Sequence, residues 1–328
     1  MGGPDATSFF AGMANKLMAV DMGGNRKCGV RSAKKECQAP RPSRGGQIRL
    51  TKETVLMDNR WPQGDPDFLK SDRGTHRHNM KAILSDIHGN IEALNAVLAD
   101  IHSRGIEEIV CLCDIIGYGP NPRECLEIAC RESEPLIMGN HEEAVIEGDA
   151  TAFNSRARRA VDWTRDQLVG PDVPEEEAEK HREMFKRFVK EADVEGVKYY
   201  HGSPRNPTRE YVTTRDVRNK QKMGAIFDAL ESVCFIGHTH IPGVFTEGGH
   251  STPEDLFGVY MISGEKALIN VGSVGQPRDG DPRACYATFD IDTVVFHRVE
   301  YDVEAVVAKI RATPSLDNTL AERLRVGR

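Results

Sequence analysis

The chain has 328 residues, 39% of them hydrophobic and 28% charged, a mix that excludes collagen-like, mucin-like and wholly disordered proteins. No stretch reaches the roughly 20 consecutive apolar residues of a membrane helix, and the most apolar early segment, SFFAGMANKLMAV, is interrupted by Lys16. The formal net charge of −7 averages two unlike parts: residues 1–79 carry 14 Lys/Arg against 8 Asp/Glu, whereas residues 80–328 carry 29 against 42.

Residues 1–79 hold 10 of the 30 glycines and 5 of the 17 prolines, with basic clusters at Arg26-Lys27, Lys34-Lys35, Arg41 and Arg44. No period of 2 or 3.6 runs through them, so they cannot bury enough apolar surface to offset the entropy of ordering. They are expected to be a disordered leader, or to lie upstream of a true start at Met80. Early acids (Asp5, Asp21) oppose a transit peptide, and the thin charge opposes an RNA- or membrane-tethering arm. The eight cysteines include no CxxC pair, which points to reduced thiols in a cytoplasmic protein. Cys111 and Cys113 share one face of an apolar run and read as small buried hydrophobes.

From Met80 the texture alternates. KAILS (81–85) predicts a strand ending at Asp86, and Asn90 opens a helix whose Ile91, Leu94, Val97, Leu98 and Ile101 form one stripe, stopped by Gly105. IEEIVCLCD predicts a second strand ending at Asp114, NPRECLEIACRE a second helix, and PLIMGNH a third strand ending at Asn140 and His141. This βαβαβ start places polar residues at strand C-termini, where open α/β sheets carry their sites. Residues 151–195 read as helical, VKYYH and SVCFIGH as strands flanking a helix near 215–230, and the text after Pro242 as β-rich. A last helix near 303–311 and a short tail, LAERLRVGR, close the chain, with no boundary expected between residues 80 and 301.

Five of the 11 histidines fall just after apolar strands, in the clusters Asp86-Ile87-His88, Asn140-His141, His201 and His238-Thr239-His240, with Asp114 similarly placed. Carboxylate, imidazole and amide oxygen form a donor set for Mn, Fe, Zn or Ni rather than Ca. Each piece alone is weak: one DxH or HxH arises by chance, and His102, His181, His250 and His297 read as surface or satisfied residues. The ordered ensemble is the signal. Gly89, Gly139 and Gly237 stand beside the clusters and relieve crowding.

The series DxH, D, GNHE, H and GHTH resembles the calcineurin-like metallophosphoesterase superfamily. SDIHGNIEALNAVL, GYGPNP, HGSP, GHTHIPGVF and NVGSVGQPRDGDPRACY are similar to its bacterial branch of small phosphodiesterases and diadenosine tetraphosphatase-related proteins. The resemblance covers residues 80–328 and implies an α/β fold, a four-layer α/β/β/α sandwich, with the basic leader outside it. It implies two divalent transition-metal ions, manganese first, with iron, nickel or zinc as alternatives. By motif, Asp86, His88 and His240 would hold one ion, and Asn140, His201 and His238 the other, with Asp114 bridging. The implied reaction is in-line attack of a metal-bridging hydroxide on phosphorus. His141 would protonate the leaving oxygen or bind a phosphoryl oxygen, with Glu142 beside it.

Two departures from the family pattern stand out. Cys113 replaces the usual glycine before the bridging aspartate and is expected to point into the sheet. Gly117-Tyr118-Gly119 replaces the Asp-Arg-Gly of eukaryotic-type protein phosphatases, which favours a phosphodiesterase of small or nucleotide-like substrates over a serine/threonine phosphatase-like or diadenosine tetraphosphatase-like hydrolase. Tyr118 can wall the pocket. In the loop 270–283, Gly272, Ser273 and Gly275 allow close backbone approach, and Arg278 and Arg283 either clamp substrate phosphate or are solvated beside a turn capped by Asp279 and Asp281. The negative balance of residues 80–328 opposes a nuclease. The filled ligand series opposes a non-catalytic scaffold. Neither membrane association nor oligomeric state is implied.

Overall fold

The computed structural model describes residues 80–328, and the expected leader lies outside the described residues. Strand β1 (Lys81–Leu84) is buried along its whole length, as a strand covered on both faces must be. Helix α1 (Ile91–Ser103) starts where the Asn90 side chain accepts the Ala93 N–H at 3.1 Å, and it buries Ala93, Leu94, Val97, Leu98 and Ile101. β2 (Glu108–Cys111) and α2 (Pro122–Glu132) complete the first βαβα run, with Pro122 where its missing N–H costs nothing.

The expected third strand at 135–141 is reduced to single bridges, Leu136 to Cys111 and Ile137 to Val189. Asn140 instead opens α3 (Asn140–Glu147), because Glu142 accepts the Gly139 N–H at 3.1 Å and caps a helix there. The stretch 151–195 contains α4 (Ser155–Val169) and α5 (Glu175–Phe185), then turns into the unexpected strand β3 (Ala192–Val194). After β4 (Val197–Tyr199), the expected helix near 215–230 divides into a 3-10 turn (Thr214–Arg218) and α6 (Lys220–Asp228), because the Asn219 side chain accepts the Lys222 N–H and starts a new helix. β5 (Val233–Ile236), β6 (Gly243–Thr246), β7 (Gly249–Ser251), β8 (Val259–Met261), β9 (Ala267–Asn270), β10 (Ala284–Asp290) and β11 (Thr293–Val299) follow. α7 (Val303–Ala312) and α8 (Asn318–Leu324) follow, so the tail is helical as far as Leu324 and ends in a turn.

The strands form two sheets, ordered β2-β1-β10-β11-β8 and β3-β4-β5-β9-β6-β7. In the first, β1 runs parallel to β2 and antiparallel to β10; in the second, β4, β5 and β9 are parallel. Period-2 alternation sorts the side chains. Ile83, Val110, Tyr199, Phe235, Ile269 and Ala287 fill the layer between the sheets. Leu84 and Cys111 pack with Leu94, Val97 and Leu126 of α1 and α2, while Cys234 and Ile236 pack with Ile226 and Phe227 of α6. The layers are therefore α/β/β/α, as the resemblance implied. The six described cysteines are buried and free, and among the described residues no helix is long and apolar enough to cross a membrane.

Phe235 is fully buried between the sheets and touches the rings of Tyr199 and Phe289 at centroid distances of 5.7 and 5.3 Å. Phe235→Ala is expected to cost about 3–5 kcal/mol, the transfer loss plus a cavity the stacked sheets cannot close. Urea unfolding checks this; a loss under about 1 kcal/mol would mean that the layer repacks.

Candidate metal centre

The parallel strands deliver their polar residues to one place. Asp86 follows β1, Asp114 follows β2, His201 follows β4 and His238 follows β5. Backbone hydrogen bonds tie the loops together: the Asp86 N–H donates to Cys113 O (2.7 Å), the His88 N–H to Asp114 O (2.9 Å) and the Gly237 N–H to His201 O (3.0 Å). The His238 N–H crosses to Asp86 Oδ2 at 3.0 Å, which joins the ends of the two sheets.

These loops are wound into conformations that L-residues avoid. Asp86, His88, Cys113, Asp114, Tyr118, His238 and His240 all have φ between +48 and +66°. Each such residue costs on the order of 1–3 kcal/mol and persists only where its surroundings over-determine it. Two glycines admit the closest approaches. A Cβ at Gly139 would lie 2.1 Å from Asp114 Oδ1, and one at Gly117 would lie 2.0 Å from His141 Nδ1. The left-handed backbone at Cys113 explains why a glycine suits that position. Its thiol points away, into the helix-side core, where it contacts Cys111 O, and burial pushes it well above its ordinary pKa.

The ring nitrogens decide what the site can hold. His88 Nδ1 lies 3.1 Å from Ile116 O, His201 Nδ1 2.8 Å from Leu112 O, and His240 Nδ1 2.6 Å from Gln276 O. A carbonyl only accepts, so each Nδ1 carries a proton and each Nε2 is left to the site, as a lone pair wherever the ring is neutral. Those lone pairs converge: His88 Nε2 and His240 Nε2 are 3.1 Å apart, and His240 Nε2 is 3.1 Å from Asp86 Oδ1, a buried oxygen with no hydrogen-bond partner. Around His201 Nε2 stand Asp114 Oδ2 and Asn140 Oδ1, both at 3.2 Å, and His238 Nδ1 at 2.9 Å. Asp114 Oδ2 also lies 4.0 Å from His88 Nε2, between the two groups. Such crowding of acceptors fits cations, and backbone carbonyls on the far ring nitrogens are the usual orienting partners of metal-binding histidines. Asp86/His88/His240, His88/Asp114/His141 and Asp114/His201/His238 each gather ligand atoms within 4.8 Å of one another.

Electrostatics keeps most of these rings neutral. Burial, then neighbouring His240 and His141, hold His88 well below its ordinary pKa; burial lowers His238 to about 3 and His141 to about 4. His201 differs: burial opposes its charge, yet Asp114 and Asp86 carry it up to about 10. A cation entering the His201 group therefore displaces a proton.

Glu142 holds the frame. Oε1 accepts the N–H groups of Ile115 and Ile116, and Oε2 those of Asp114 and Gly139. Burial and Asp114 push its carboxyl up to about 8, against the backbone N–H groups that favour the carboxylate. The sequence placed Glu142 beside His141; the structure shows that it grips the Asp114 loop.

A cavity of about 270 Å³ opens over these groups, lined by Asp114, Tyr118, Asn140, His141, Phe153, Arg209, Tyr211, His238, His240 and Arg278 among others. Tyr118 and Arg278 are thus at the site. Arg283 is not among the lining residues: it forks onto Asp281 at 2.6–3.1 Å. Phe153, Arg209 and Tyr211 were not singled out from the sequence. Tyr211 lies with its ring 3.8 Å from that of His238, and only its nearness in sequence to His201 could have flagged it. Phe153 carried no signal.

Residues 80–294 match the calcineurin-like phosphoesterase superfamily domain. The protein MJ0912 of Methanocaldococcus jannaschii is 37% identical over 256 residues, covering 76% of this chain and 99% of that protein. A metallophosphoesterase from Sphaerobacter thermophilus superimposes with a TM-score of 0.65 at 36% identity, over 76% of this chain and 100% of the other. The hypothetical protein PH1004 from Pyrococcus horikoshii shares the fold, with a TM-score of 0.59 at 21% identity over 76% and 98% of the two chains.

Two outcomes follow from the charges. Glu142→Gln turns one accepting oxygen of the ionised carboxyl into a donor facing backbone N–H groups, so in urea unfolding above about pH 8 it is expected to cost about 2 kcal/mol or more; a cost near zero there would deny Glu142 its framing role. In chelator-treated protein, His88, His141, His238 and His240 bind fewer protons folded than unfolded. Stability should therefore fall as pH drops below about 6.5, by up to about 1.4 kcal/mol per pH unit for each group. His201, raised to about 10, contributes fully below about 6.5 and loses its contribution as pH rises through 10. A urea midpoint higher at pH 5 than at pH 7 would contradict these assignments.

Proposed function

The chain belongs to the calcineurin-like phosphoesterase superfamily and is a hydrolase acting on phosphoester bonds, and on that premise we propose that it is a dinuclear phosphodiesterase of small or nucleotide-like substrates. The observation that carries this reading is the pair of lone-pair clusters sharing Asp114. Asp86, His88 and His240 would hold one ion and Asn140, His201 and His238 the other, with Asp114 between them; manganese is the first candidate, and iron, nickel and zinc suit the same donors. When bound, the ions supply Lewis-acid polarisation of phosphoryl oxygens and a hydroxide nucleophile near neutral pH.

The remaining work falls to the chain's own residues. His141, neutral near pH 7, projects into the cavity between the rings of Tyr118 and Phe153, at centroid distances of 4.7 and 4.9 Å. Its Nδ1 is buried against Gly117 without a hydrogen-bond partner, and the ring lines the cavity, where a ring N–H would meet a phosphoryl or leaving oxygen. Asp114 Oδ1 accepts the His141 backbone N–H at 2.9 Å and fixes the start of α3 against the site. Arg209 is already answered by Glu143 at 2.7 Å and Glu147 at 3.6 Å. Among the described residues no carboxylate pairs with Arg278, which leaves its charge for the substrate. The aromatic wall of Tyr118, Phe153 and Tyr211 suits the organic group of a phosphoester, and the preference for a diester rests on Gly117-Tyr118-Gly119 standing where protein phosphatases carry Asp-Arg-Gly.

With manganese added, the full chain is expected to hydrolyse bis(p-nitrophenyl) phosphate faster than p-nitrophenyl phosphate, and to lose activity with chelator. Asp114→Asn should abolish metal retention measured by elemental analysis, and His141→Ala should lower kcat about 100-fold or more while metal is retained. No bound metal and no turnover of either ester across manganese, nickel, iron and zinc would overturn the reading.

A further inference from the structure

Tyr211 differs from the other aromatic residues of the cavity in having an open face. Tyr118 already packs on His88, His141 and the Arg278 guanidinium, at 4.6, 4.7 and 5.9 Å, and Phe153 packs on His141 at 4.9 Å; both are half-buried. Tyr211 lines the same cavity yet is 50% exposed. One face of its ring lies on His238, with centroids 3.8 Å apart and planes 30° from each other, so its exposure belongs to the other face and the edge.

The chain around Tyr211 is pinned. Its backbone oxygen accepts Lys222 Nζ from α6 at 2.6 Å, and Lys222 also pairs with Asp216 at 3.1 Å. Val212 is buried with Ile226 and Phe227 of α6, and the Thr213 N–H donates to Asp216 Oδ2 at 2.7 Å. With His238 beneath the ring, a ligand that stacks on Tyr211 has little left to order. A π face held in this way attracts another planar ring, whereas a saturated ring of the same size gains apolar burial alone. His238 Nδ1 lies 2.9 Å from His201 Nε2, so a ring stacked on Tyr211 sits one ring away from the candidate metal ligands. The cavity of about 270 Å³ suits a phosphoryl group joined to a single ring system rather than a polymer.

We propose that Tyr211 is a stacking platform that selects phosphoesters whose organic group is a planar aromatic ring over those carrying a saturated group of the same size. The inference rests on the metal-dependent reading of the adjoining site and names the substrate class of that site. Tyr211 acts in binding and touches no reacting atom.

The test is calorimetric binding of non-hydrolysable probes to the manganese-loaded full chain, in two pairs. One is phenylphosphonate against cyclohexylphosphonate; the other is the phosphonate analogue of adenosine 5′-monophosphate against that of ribose 5-phosphate. In at least one pair the aromatic member is expected to bind about fivefold tighter or more. The first pair reports a ring carried directly on phosphorus, the second a nucleobase. Tyr211→Leu should remove the preference and Tyr211→Phe should keep it, with equal manganese content by elemental analysis. Thermal melts show whether each variant is folded, and Tyr211→Gln replaces the Leu variant if that one is not. No preference in either pair, a preference that the Leu variant keeps, or one that the Phe variant loses would overturn the platform. Loss of the preference together with manganese would make Tyr211 a support for His238 and overturn it as well. Bound manganese and phosphonate binding without an aromatic preference leave the metal reading standing. A Tyr211-dependent preference in a chain that retains no manganese supports the platform and counts against the metal reading.

Discussion

The structure depends on holding mutually repelling acceptors together out of water. Asp86 and Asp114 are essentially fully buried, and the Nε2 atoms of His88, His201 and His240 are aimed at them and at one another. Without a cation this arrangement is uphill, since buried carboxylates are costly to desolvate and only the His201 ring, held protonated by Asp114 and Asp86, faces them with a compensating charge. The fold supplies the restoring forces. Carbonyl oxygens at Leu112, Ile116 and Gln276 fix three rings by their far nitrogens, and Glu142 grips the Asp114 loop through backbone N–H groups. The left-handed backbone at five of the seven candidate ligands is strain that these bonds sustain.

Sheet stacking converts that local strain into a single site. Tyr199, Phe235, Ile83 and Ala287 lock the two sheets face to face, so the ends of β1 and β2 cannot move independently of those of β4 and β5. The hydrogen bond from the His238 N–H to Asp86 Oδ2 is the direct link across the join. Tight interior packing is therefore part of the site's geometry, because a looser core would let the ligand clusters separate and lose their shared aspartate.

Charge is managed at short range. The described part of the chain is acidic, so its long-range field repels a phosphorylated ligand, and attraction must come from groups within the cavity. Arg209 is neutralised by Glu143, whereas Arg278 lines the cavity with no carboxylate partner among the described residues. A site that confines its positive charge in this way suits small phosphoesters and disfavours extended polyanions.

The sequence alone determined the local structure and the chemical inventory. Asn90 and the Leu94, Val97, Leu98 and Ile101 stripe marked α1, alternation marked the strands, and DxH, GNHE and GHTH marked residues that the structure brings together, because capping and periodicity are short-range effects. It misread places where a distant partner decides: 135–141 is bridged rather than stranded, and Asn140 opens a helix because Glu142 caps it while reaching across to the Asp114 loop. The orientation of each imidazole ring, the pairing of Arg283 with Asp281 instead of the cavity, and the entry of Tyr211 were decided only by the tertiary structure. Those features depend on which chain segments are neighbours in space, and no periodicity or motif spacing encodes a contact between residues held together by the stacking of two sheets.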